Sequence, residues 1–368
     1  MSVRHWPAVI AATWLCAGCA GPSAKFPDLP DDEVKAERHR QQVAQVKTYF
    51  GALARLNNVA FKIKVANRQY CKAVAPQIGI YAATTHSLPR KYHTFSGEAL
   101  QVDATYATVV TLADGSPAAV AGIKTGDKIL TLDNEAVPAK KSDEWIDKWL
   151  AVHGAQPVTV MVRRDDKDEK HLVYPAVACA IPVVLGTDAN FNAFTDYRKI
   201  VIQSGILRAA ENDSDLAVVI GHELAHVNMG HYGKKLQNAL LGAASGAVID
   251  GGLLIGGIYT GGTFMKHFEV AGERTFSVDF EREADYVGAY YAARAGYDVS
   301  DATNIWRTMA RESPDNIRAN KTHPATPVRF VQMQKTIAEI EDKKRRNLPL
   351  EPDLKSASAE PAASADAY

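Results

Sequence analysis

The stretch Gly-His-Glu-Leu-Ala-His at residues 221–226 constrains the fold of this chain more than any other stretch. It follows residues 212–215, Asn-Asp-Ser-Asp, which are typical of a helix start because short polar side chains cap free N–H groups and acidic charge suits the positive helix end. Residues 216–220 are all apolar, which indicates a buried helix that continues into the motif. His222 and His226 are four residues apart, so we predict that they share one face of this helix.

Two imidazoles on one helix face can bind a zinc ion, and Glu223 is placed to take a proton from a water molecule at the metal. This is the H-E-x-x-H pattern of zinc metalloproteases. The alternative is a surface helix with two solvated histidines. The apolar run that leads into the motif argues against that alternative.

An open catalytic zinc site also needs a third ligand and a nearby carboxylate that orients one of the histidines. Residues 280–289 are predicted to open another helix, on which Glu281 and Asp285 share a face. Physical reasoning alone does not choose among Glu281, Glu283 and Asp285 as the ligand.

His231 follows His226 by five residues, which is about 500° of continuous helix and so about 140° away from the face of His226. A metzincin would need glycine at 229 and histidine at 232, where Met229 and Tyr232 stand. We therefore predict a structural or helix-end role for His231.

The chain has 368 residues, 46% of them hydrophobic, and a formal net charge of zero. This length suggests about two domains with ample material for a core. The balanced charge gives no reason to expect nucleic acid as a partner.

The first 18 residues are predicted to be a signal peptide, because Arg4 precedes an apolar stretch at 8–15 that is too short to span a bilayer. The segment resembles a bacterial lipoprotein signal, which implies that Cys19 becomes the lipidated first residue. An ordinary cleaved signal peptide is the alternative. The resemblance implies a lipid-anchored periplasmic protein, and Ala20 favours the outer over the inner membrane.

Cys71 and Cys179 remain once the signal is removed. Two cysteines in an oxidising compartment predict one disulfide, and two buried free thiols are the alternative. A bridge between them would make the intervening segment an insertion into one body.

The run GSPAAVAGIKTGDKILTLDNEAV at residues 115–137 resembles PDZ domains of bacterial proteases. The resemblance implies a domain that binds extended peptides by adding a strand to a sheet edge. It places the carboxylate-binding loop near residues 95–100. A spacer or a regulatory lid is the alternative.

Three motifs in order resemble the zinc metallopeptidase family of the HtpX protein, the Oma-type mitochondrial protease and the CAAX prenyl protease. They are HELAH at 222–226, E-x-x-A-D at 281–285, and Thr-His-Pro at 322–324 with Arg329. The resemblance covers about residues 180–340 and implies that Glu281 is the third metal ligand. It further implies that Asp285 orients a metal histidine, that His323 stabilises the oxyanion, and that Arg329 lies in the active-site wall.

We predict an α+β fold, with a mainly helical gluzincin-type metallopeptidase domain that has a small sheet, and an inserted PDZ-like β/α domain. The predicted order is signal peptide 1–18, tether 19–33, helix and strands packing on the peptidase body 34–95, PDZ-like domain 96–178, peptidase 179–345 and disordered tail 346–368. Within the third segment, residues 32–57 are predicted as helix and 59–65 as strand, because apolar residues alternate there.

The Gly-rich stretch 239–264 is expected to be a helical hairpin or plug. A membrane-dipping segment is the alternative, which Asp250 and the density of glycine disfavour.

The resemblance implies a zinc-dependent endopeptidase of the bacterial cell envelope with one zinc ion per chain, acting in protein quality control. Its expected partners are protein or peptide substrates, the membrane through the lipid anchor, and a peptide ligand of the PDZ-like domain. One competing interpretation is a PDZ-bearing lipoprotein with a closed zinc site that serves as a chaperone or binding module, with His231, His267 or Asp285 as fourth ligand. Another is a zymogen-like enzyme held shut by the Gly-rich segment.

Overall fold

The computed structural model describes residues 23–195, 198–255, 260, 263, 265–267, 277–312 and 327–355. Within these ranges the helices are α1 Asp31–Ala66, α2 His93–Leu100, α3 Pro117–Val120, α4 Ser142–His153, α5 Ser204–Ala209, α6 Asp213–Asn228, α7 His231–Ile255, α8 Ser277–Arg294, α9 Thr303–Glu312 and α10 Pro327–Arg345. The strands are β1 Val74–Gln77, β2 Ile80–Ala83, β3 Ala107–Leu112, β4 Lys128–Leu132, β5 Glu135–Ala136, β6 Val158–Arg164, β7 Lys167–Val173, β8 Ala176–Cys179, β9 Val183–Gly186, β10 Ala193–Thr195 and β11 Ile200–Gln203. The fold is α+β, as predicted.

The chain divides into two compact units, Met1–Gln42 and Val43–Tyr368. In the first unit, the described part consists of residues 23–30 and the opening turns of α1, whose side chains are exposed. The Glu37 carboxylate there accepts hydrogen bonds from Arg40 and Gln41, which stabilise exposed helix modestly. Everything that follows concerns the second unit.

A single helix replaces the strand predicted at residues 59–65. The helix α1 runs unbroken to Ala66 and buries Val59, Ala60 and Ile63 on one side. Because both sides of this segment pack against other parts of the unit, its apolar residues mimic a period of two without forming a strand. The prediction of a strand there was wrong.

The segment between Cys71 and Cys179, called the PDZ part below after its predicted resemblance, is built on an antiparallel sheet. The strand order is β2-β3-β4-β6-β7, with β5 paired to β4. Inward residues of the sheet, such as Val109, Ile129 and Val160, are fully buried together with Ile146 and Trp149 of α4. The strand β2 forms one edge of this sheet, and α4 lies beside it, where the Ser142 hydroxyl donates to the Ala82 carbonyl at 3.2 Å. Edge strand and helix thus border a groove.

The carboxylate-binding loop does not lie near residues 95–100, because that stretch is helical in α2. A glycine turn at Gly79 leads into the edge strand instead. Gly79 has φ +81, and a Cβ there would lie 2.3 Å from the Cβ of Ser116, so only glycine fits. The prediction of the loop position was wrong.

The PDZ part leaves the peptidase part and returns to it at one place. Strand β1 pairs antiparallel with β8, with Val74 opposite Cys179, and a disulfide joins Cys71 to Cys179. The Cα atoms of the two cysteines are 5.5 Å apart. The structure contains the predicted disulfide, and the strands before and after the intervening segment pair with each other, as the proposed insertion requires.

The peptidase part combines helices with a sheet of order β10-β11-β9, in which β9 and β11 are parallel. Its core holds fully buried residues of α6 and α8, such as Leu216, Ile220, Val287 and Tyr290. The helices α6 and α8 pack against each other along this core, and they carry the sequence motifs.

The helix α1 contributes to both cores. Val46 and Phe50 lie in a buried cluster with Leu88 and Val110 of the PDZ part, whereas Leu56 belongs to the peptidase core. Two polar contacts fix it to the motif helices. The Arg55 guanidinium bonds Asp213 at the start of α6 at 2.8 Å, and the Asn67 amide donates to the Tyr291 carbonyl of α8 at 3.0 Å.

The Gly-rich stretch is helical as far as Ile255, within α7. By length and apolar composition alone, His231–Ile255 is the one helix among the described residues that could cross a membrane. Beyond Ile255, only residues 260, 263 and 265–267 of this region fall within the described ranges.

Candidate metal centre

The motif helix α6 begins as the sequence predicts. The Asn212 side chain accepts a hydrogen bond from the Asp215 amide at 2.9 Å, and the Asp215 carboxylate accepts from the amides of Glu211 and Asn212. This capping box satisfies N–H groups that the helix leaves open. Residues 216–220 are all buried, so the helix carries its motif into the core.

Two glycines set the distance between α6 and α8. A Cβ on Gly221 would lie 2.4 Å from the Gly288 carbonyl oxygen, and a Cβ on Gly288 would lie 2.6 Å from the backbone nitrogen of His222. Real Cβ atoms do not approach other atoms so closely, so this crossing requires glycine on both helices. The sequence reasoning missed this pair, although both residues adjoin the motifs.

The crossing brings His222, His226 and Glu281 together. The Nε2 atoms of the histidines are 3.0 Å apart, and each is 3.4 Å from an oxygen of Glu281. All three side chains are buried, Glu281 completely. The two Glu281 distances involve different oxygens, Oε2 for His222 and Oε1 for His226. One ligand atom from each of the three side chains lies within 4.8 Å of the other two, so together they could hold a metal ion.

The other two acidic candidates bond elsewhere. Asp285 Oδ1 lies 2.9 Å from Nδ1 of His222, on the ring edge away from the cluster. Arg329 holds Asp285 through two hydrogen bonds of 2.6 and 2.7 Å. A carboxylate at this ring nitrogen fixes the tautomer that leaves Nε2 for a metal.

The surroundings of His222 and Asp285 favour the charged form of each side chain. Burial disfavours the charged form of His222, but hydrogen bonds to Asp285 and Glu281 outweigh burial and raise its pKa to about 9. Burial likewise opposes ionisation of Asp285, but the Arg329 charge outweighs it and lowers the pKa of that carboxyl. The surroundings of His222 therefore favour a positive charge at the cluster.

His231 contacts His226, although a continuous helix would place the two side chains on different faces. The helix α6 ends at Asn228, and Gly230 has φ +69, so the chain turns before His231. Its Nδ1 then lies 2.8 Å from Nδ1 of His226, and its Nε2 lies 2.7 Å from Glu283. This position agrees with the structural role predicted for His231. It is not the position of a fourth metal ligand.

Glu223 is 2% exposed and lies on α6 next to His222, within electrostatic reach of Arg329. Among the described residues, the group of side chains able to hold a metal has three members: His222, His226 and Glu281. His267 is exposed and is not one of them. His323 and Cys19 lie outside the described residues.

A largely apolar cavity of about 520 Å³ adjoins His226. The disulfide forms one wall, and Thr195 at the end of β10 and the Val227–Gly230 turn form others. Its lining includes Cys71, Lys72, Cys179, Ile181, Thr195, Arg198, Val227 and Tyr232. Space for a side chain therefore exists beside His226 and the candidate metal site.

Comparisons with known proteins agree with these observations. Residues 174–337 match the model of peptidase family M48, and residues 76–173 match the model of the PDZ domain. The chain is 31% identical over 166 residues to the mitochondrial metalloendopeptidase OMA1 of Saccharomyces cerevisiae, which covers 42% of this chain and 46% of that protein.

A second relative is the beta-barrel assembly-enhancing protease of Yersinia pestis, 28% identical over 131 residues, which covers 34% of this chain and 27% of that protein. The chain thus matches less than half the length of each of these relatives. Among solved structures, an HtrA-type protease, AlgW with decapeptide, is similar at a TM-score of 0.23 and 19% identity, over 28% of this chain and 30% of that chain.

Proposed function

We propose that this chain is a zinc-dependent endopeptidase of the bacterial cell envelope, since residues 174–337 match the model of peptidase family M48 and residues 76–173 match the model of the PDZ domain. One observation carries the proposal. His222, His226 and Glu281 are buried and each offers one ligand atom within 4.8 Å of the other two, and Glu223 lies on the same helix as the two histidines. We expect one zinc ion per chain.

A zinc ion in this site would polarise a scissile carbonyl and make a water molecule more acidic. Glu223 would accept the proton of the attacking water and return it to the leaving amine. Asp285 and His231 would keep the two imidazoles in the tautomer and orientation that binding requires. His323, by family resemblance, would donate to the oxyanion, and Arg329 would hold Asp285 in place.

The strand β10 offers a place for the substrate backbone. It forms one edge of the β10-β11-β9 sheet and packs beside α6, whereas β9 forms the opposite edge. An extended peptide that adds to β10 would run past the metal cluster, and one of its side chains would enter the cavity at Thr195.

The test combines zinc analysis with a casein digest on the wild type, on Glu223→Gln and on Glu211→Gln. Glu211 is exposed just before α6, so its variant is a matched control for loss of one carboxylate. We expect one zinc per chain in all three proteins and loss of digestion in Glu223→Gln alone. Digestion by Glu223→Gln at the wild-type rate would refute this mechanism.

The fold leaves little support for a closed zinc site that serves a binding module. Two of the fourth ligands proposed for it, His231 and Asp285, bond the outer nitrogens of the metal histidines instead. Cobalt substitution tests the point, because the absorption of an open site differs from that of a site with four protein ligands.

For location, we propose a periplasmic protein held by a lipid on Cys19, in the outer rather than the inner membrane, with envelope proteins under quality control as substrates. The support is the sequence of residues 4–20 and the similarity to a bacterial protease whose name refers to beta-barrel assembly. Palmitate labelling of wild type and Cys19→Ser, followed by membrane fractionation, tests the anchor.

A further inference from the structure

The cavity beside His226 carries charge of one sign. Its walls are mostly apolar and include the disulfide, Ile181 and Val227. Among the described residues that line it, Lys72 and Arg198 bring positive charge, and there is no aspartate or glutamate. Apolar walls with a few polar groups are typical of a binding pocket, in which the polar groups give the specificity.

The ammonium of Lys72 has a defined position in the cavity wall. Lys72 directly follows Cys71, which the disulfide joins to the last residue of β8. A Cβ added at Gly230 would lie 2.7 Å from Lys72 Nζ, so the ammonium lies over the turn that follows the motif helix α6. Gly230 has φ +69, which favours glycine, and its missing side chain leaves room for the charge beside the end of that helix.

Lys72 differs from the other lysines around the candidate metal site in what it contacts. The Lys234 ammonium lies 4.0 Å from the Glu283 carboxylate. The Lys235 ammonium lies 4.0 Å from the Glu281 carboxylate. Lys72 is exposed and, among the described residues, has no hydrogen bond and no carboxylate within 4.0 Å. Its charge is therefore available to pair with an acidic group of a ligand.

Arg198 brings the second positive charge from a different element. It lies in the connection between β10 and β11, where the Thr195 hydroxyl donates to the Lys199 carbonyl at 3.1 Å. The strand β10 is the edge to which an extended substrate is proposed to add. A substrate side chain that enters at Thr195 therefore meets a cavity with two cations, and a carboxylate complements both.

We propose that this cavity is the specificity pocket of the peptidase and that it takes an acidic side chain of the substrate, glutamate above all. The carboxylate pairs with Lys72 and with Arg198 in charge-assisted hydrogen bonds. Lys72 determines the preference, because the disulfide fixes its backbone and its ammonium lies over Gly230. The inference rests on the proposed function, in that the substrate lies along β10 beside the candidate metal site.

The choice of glutamate over other side chains follows from the walls and the charges together. Its two methylene groups can lie against the apolar walls while its carboxylate reaches the cations, and aspartate is one methylene shorter. An apolar side chain fills the same walls but covers the Lys72 charge without pairing it, which costs binding free energy. A basic side chain is repelled by both cations.

The experiment uses the full chain with Glu223→Gln in the presence of zinc, so that no peptide is cut. The probes are three pools of fluorescent decapeptides with amidated carboxyl ends. They carry glutamate, glutamine or lysine at the fifth position and a random mixture of alanine, valine, leucine and serine elsewhere. Binding is measured by fluorescence anisotropy for this parent and for its Lys72→Met, Lys72→Glu and Lys167→Met variants. Lys167→Met is the matched control, because Lys167 is exposed in β7 and does not line the cavity.

We expect the parent and Lys167→Met to bind the glutamate pool at least fivefold more tightly than the glutamine pool. Lys72→Met should lose most of this preference, and Lys72→Glu should bind the lysine pool more tightly than the parent does. A gain of binding requires a folded pocket, so loss of structure cannot produce it. Equal binding of the glutamate and glutamine pools by the parent, no binding of any pool by the folded parent, or an unchanged preference in Lys72→Met would overturn the proposal.

Cleavage sites give a second readout in protein that keeps Glu223. Casein is digested by the wild type, by Lys72→Met and by Lys167→Met, and the cuts are located by mass spectrometry. Relative to the composition of casein, glutamate should be enriched within two residues of the cuts made by the wild type and Lys167→Met, and less so for Lys72→Met. Digestion without this enrichment would overturn the acidic pocket and leave the peptidase proposal standing. If no casein is cut but the binding results hold, the peptidase proposal falls and the pocket stands.

Discussion

The glycine pair between α6 and α8 gives the sharpest test of how the metal centre is built. In Gly288→Ala, the new Cβ would start 2.6 Å from the His222 nitrogen, whereas ordinary contact begins at 3.4 Å. The helices must therefore separate by the difference, about 0.8 Å, at the backbone of His222, a proposed metal ligand. Metal sites tolerate deviations of about 0.2 Å in ligand distance, so this shift moves Glu281 out of bonding range of a shared ion.

Overpacking of this kind also costs about 1–3 kcal/mol of folding free energy. We expect Gly288→Ala to unfold at lower urea concentration than wild type and to bind zinc at least tenfold more weakly in competition with a chelating dye. Gly233→Ala is the control, because nothing lies within 4 Å of a Cβ there and the residue is helical. Alanine favours helix, so the control should be neutral or slightly stabilising. A folded Gly288→Ala with wild-type zinc affinity would refute the reasoning.

Three further outcomes follow from the described contacts. His231→Ala should weaken zinc binding by about 10–100-fold, because it removes the hydrogen bond to His226. The control is His86→Ala, at an exposed position, which should leave zinc binding unchanged. Equal zinc affinities of the two variants would show that the hydrogen bond to His226 does not matter. Replacing Cys71 and Cys179 by serine should lower the free energy of unfolding by about 2–5 kcal/mol in denaturant titrations, since the bridge closes a separation of 108 residues, and an unchanged midpoint would contradict this. In zinc-free protein the pKa of His222 is raised to about 9 from the 6.5 of an unperturbed histidine, so its stabilising charge is complete below pH 6.5 and is lost as pH rises towards 9. Melting temperatures should fall over that interval in EDTA and not with zinc bound, and a flat profile in EDTA would argue against the Asp285 and Glu281 contacts.

Local features of the motif helix could be predicted from the sequence, because its signals act within a few residues. The cap at Asn212, the apolar run at 216–220 and the shared face of the two histidines each depend on spacing along one helix. The disulfide was predictable because only Cys71 and Cys179 remain beyond the signal segment.

Features that depend on how distant segments meet could not be predicted in the same way. The third ligand was left open by spacing alone, because the choice among Glu281, Glu283 and Asp285 is made where α8 crosses α6 at Gly288. His231 was placed by assuming a continuous helix, and the turn at Gly230 returns it to His226.

The prediction of a strand at residues 59–65 was wrong for a related reason. Alternation of apolar residues indicates a strand only when one face meets solvent. In this part of α1, Val59 and Ile63 are buried in the core on one side, and Phe61 lines a cavity on the other. The carboxylate-binding loop was sought next to the recognisable PDZ run, whereas Gly79 lies much earlier in the chain, before β3.

The pairing of β1 with β8 and the disulfide bring both ends of the PDZ domain to one place, so the domain is a separable insertion. The Cα atoms of Cys71 and Cys179 at its two ends are 5.5 Å apart, a gap that a short turn can span, so the surrounding chain need not change its own course if the domain is added or removed. If another domain took its place, the side of α1 that now packs against the PDZ domain would have to change to fit the new one.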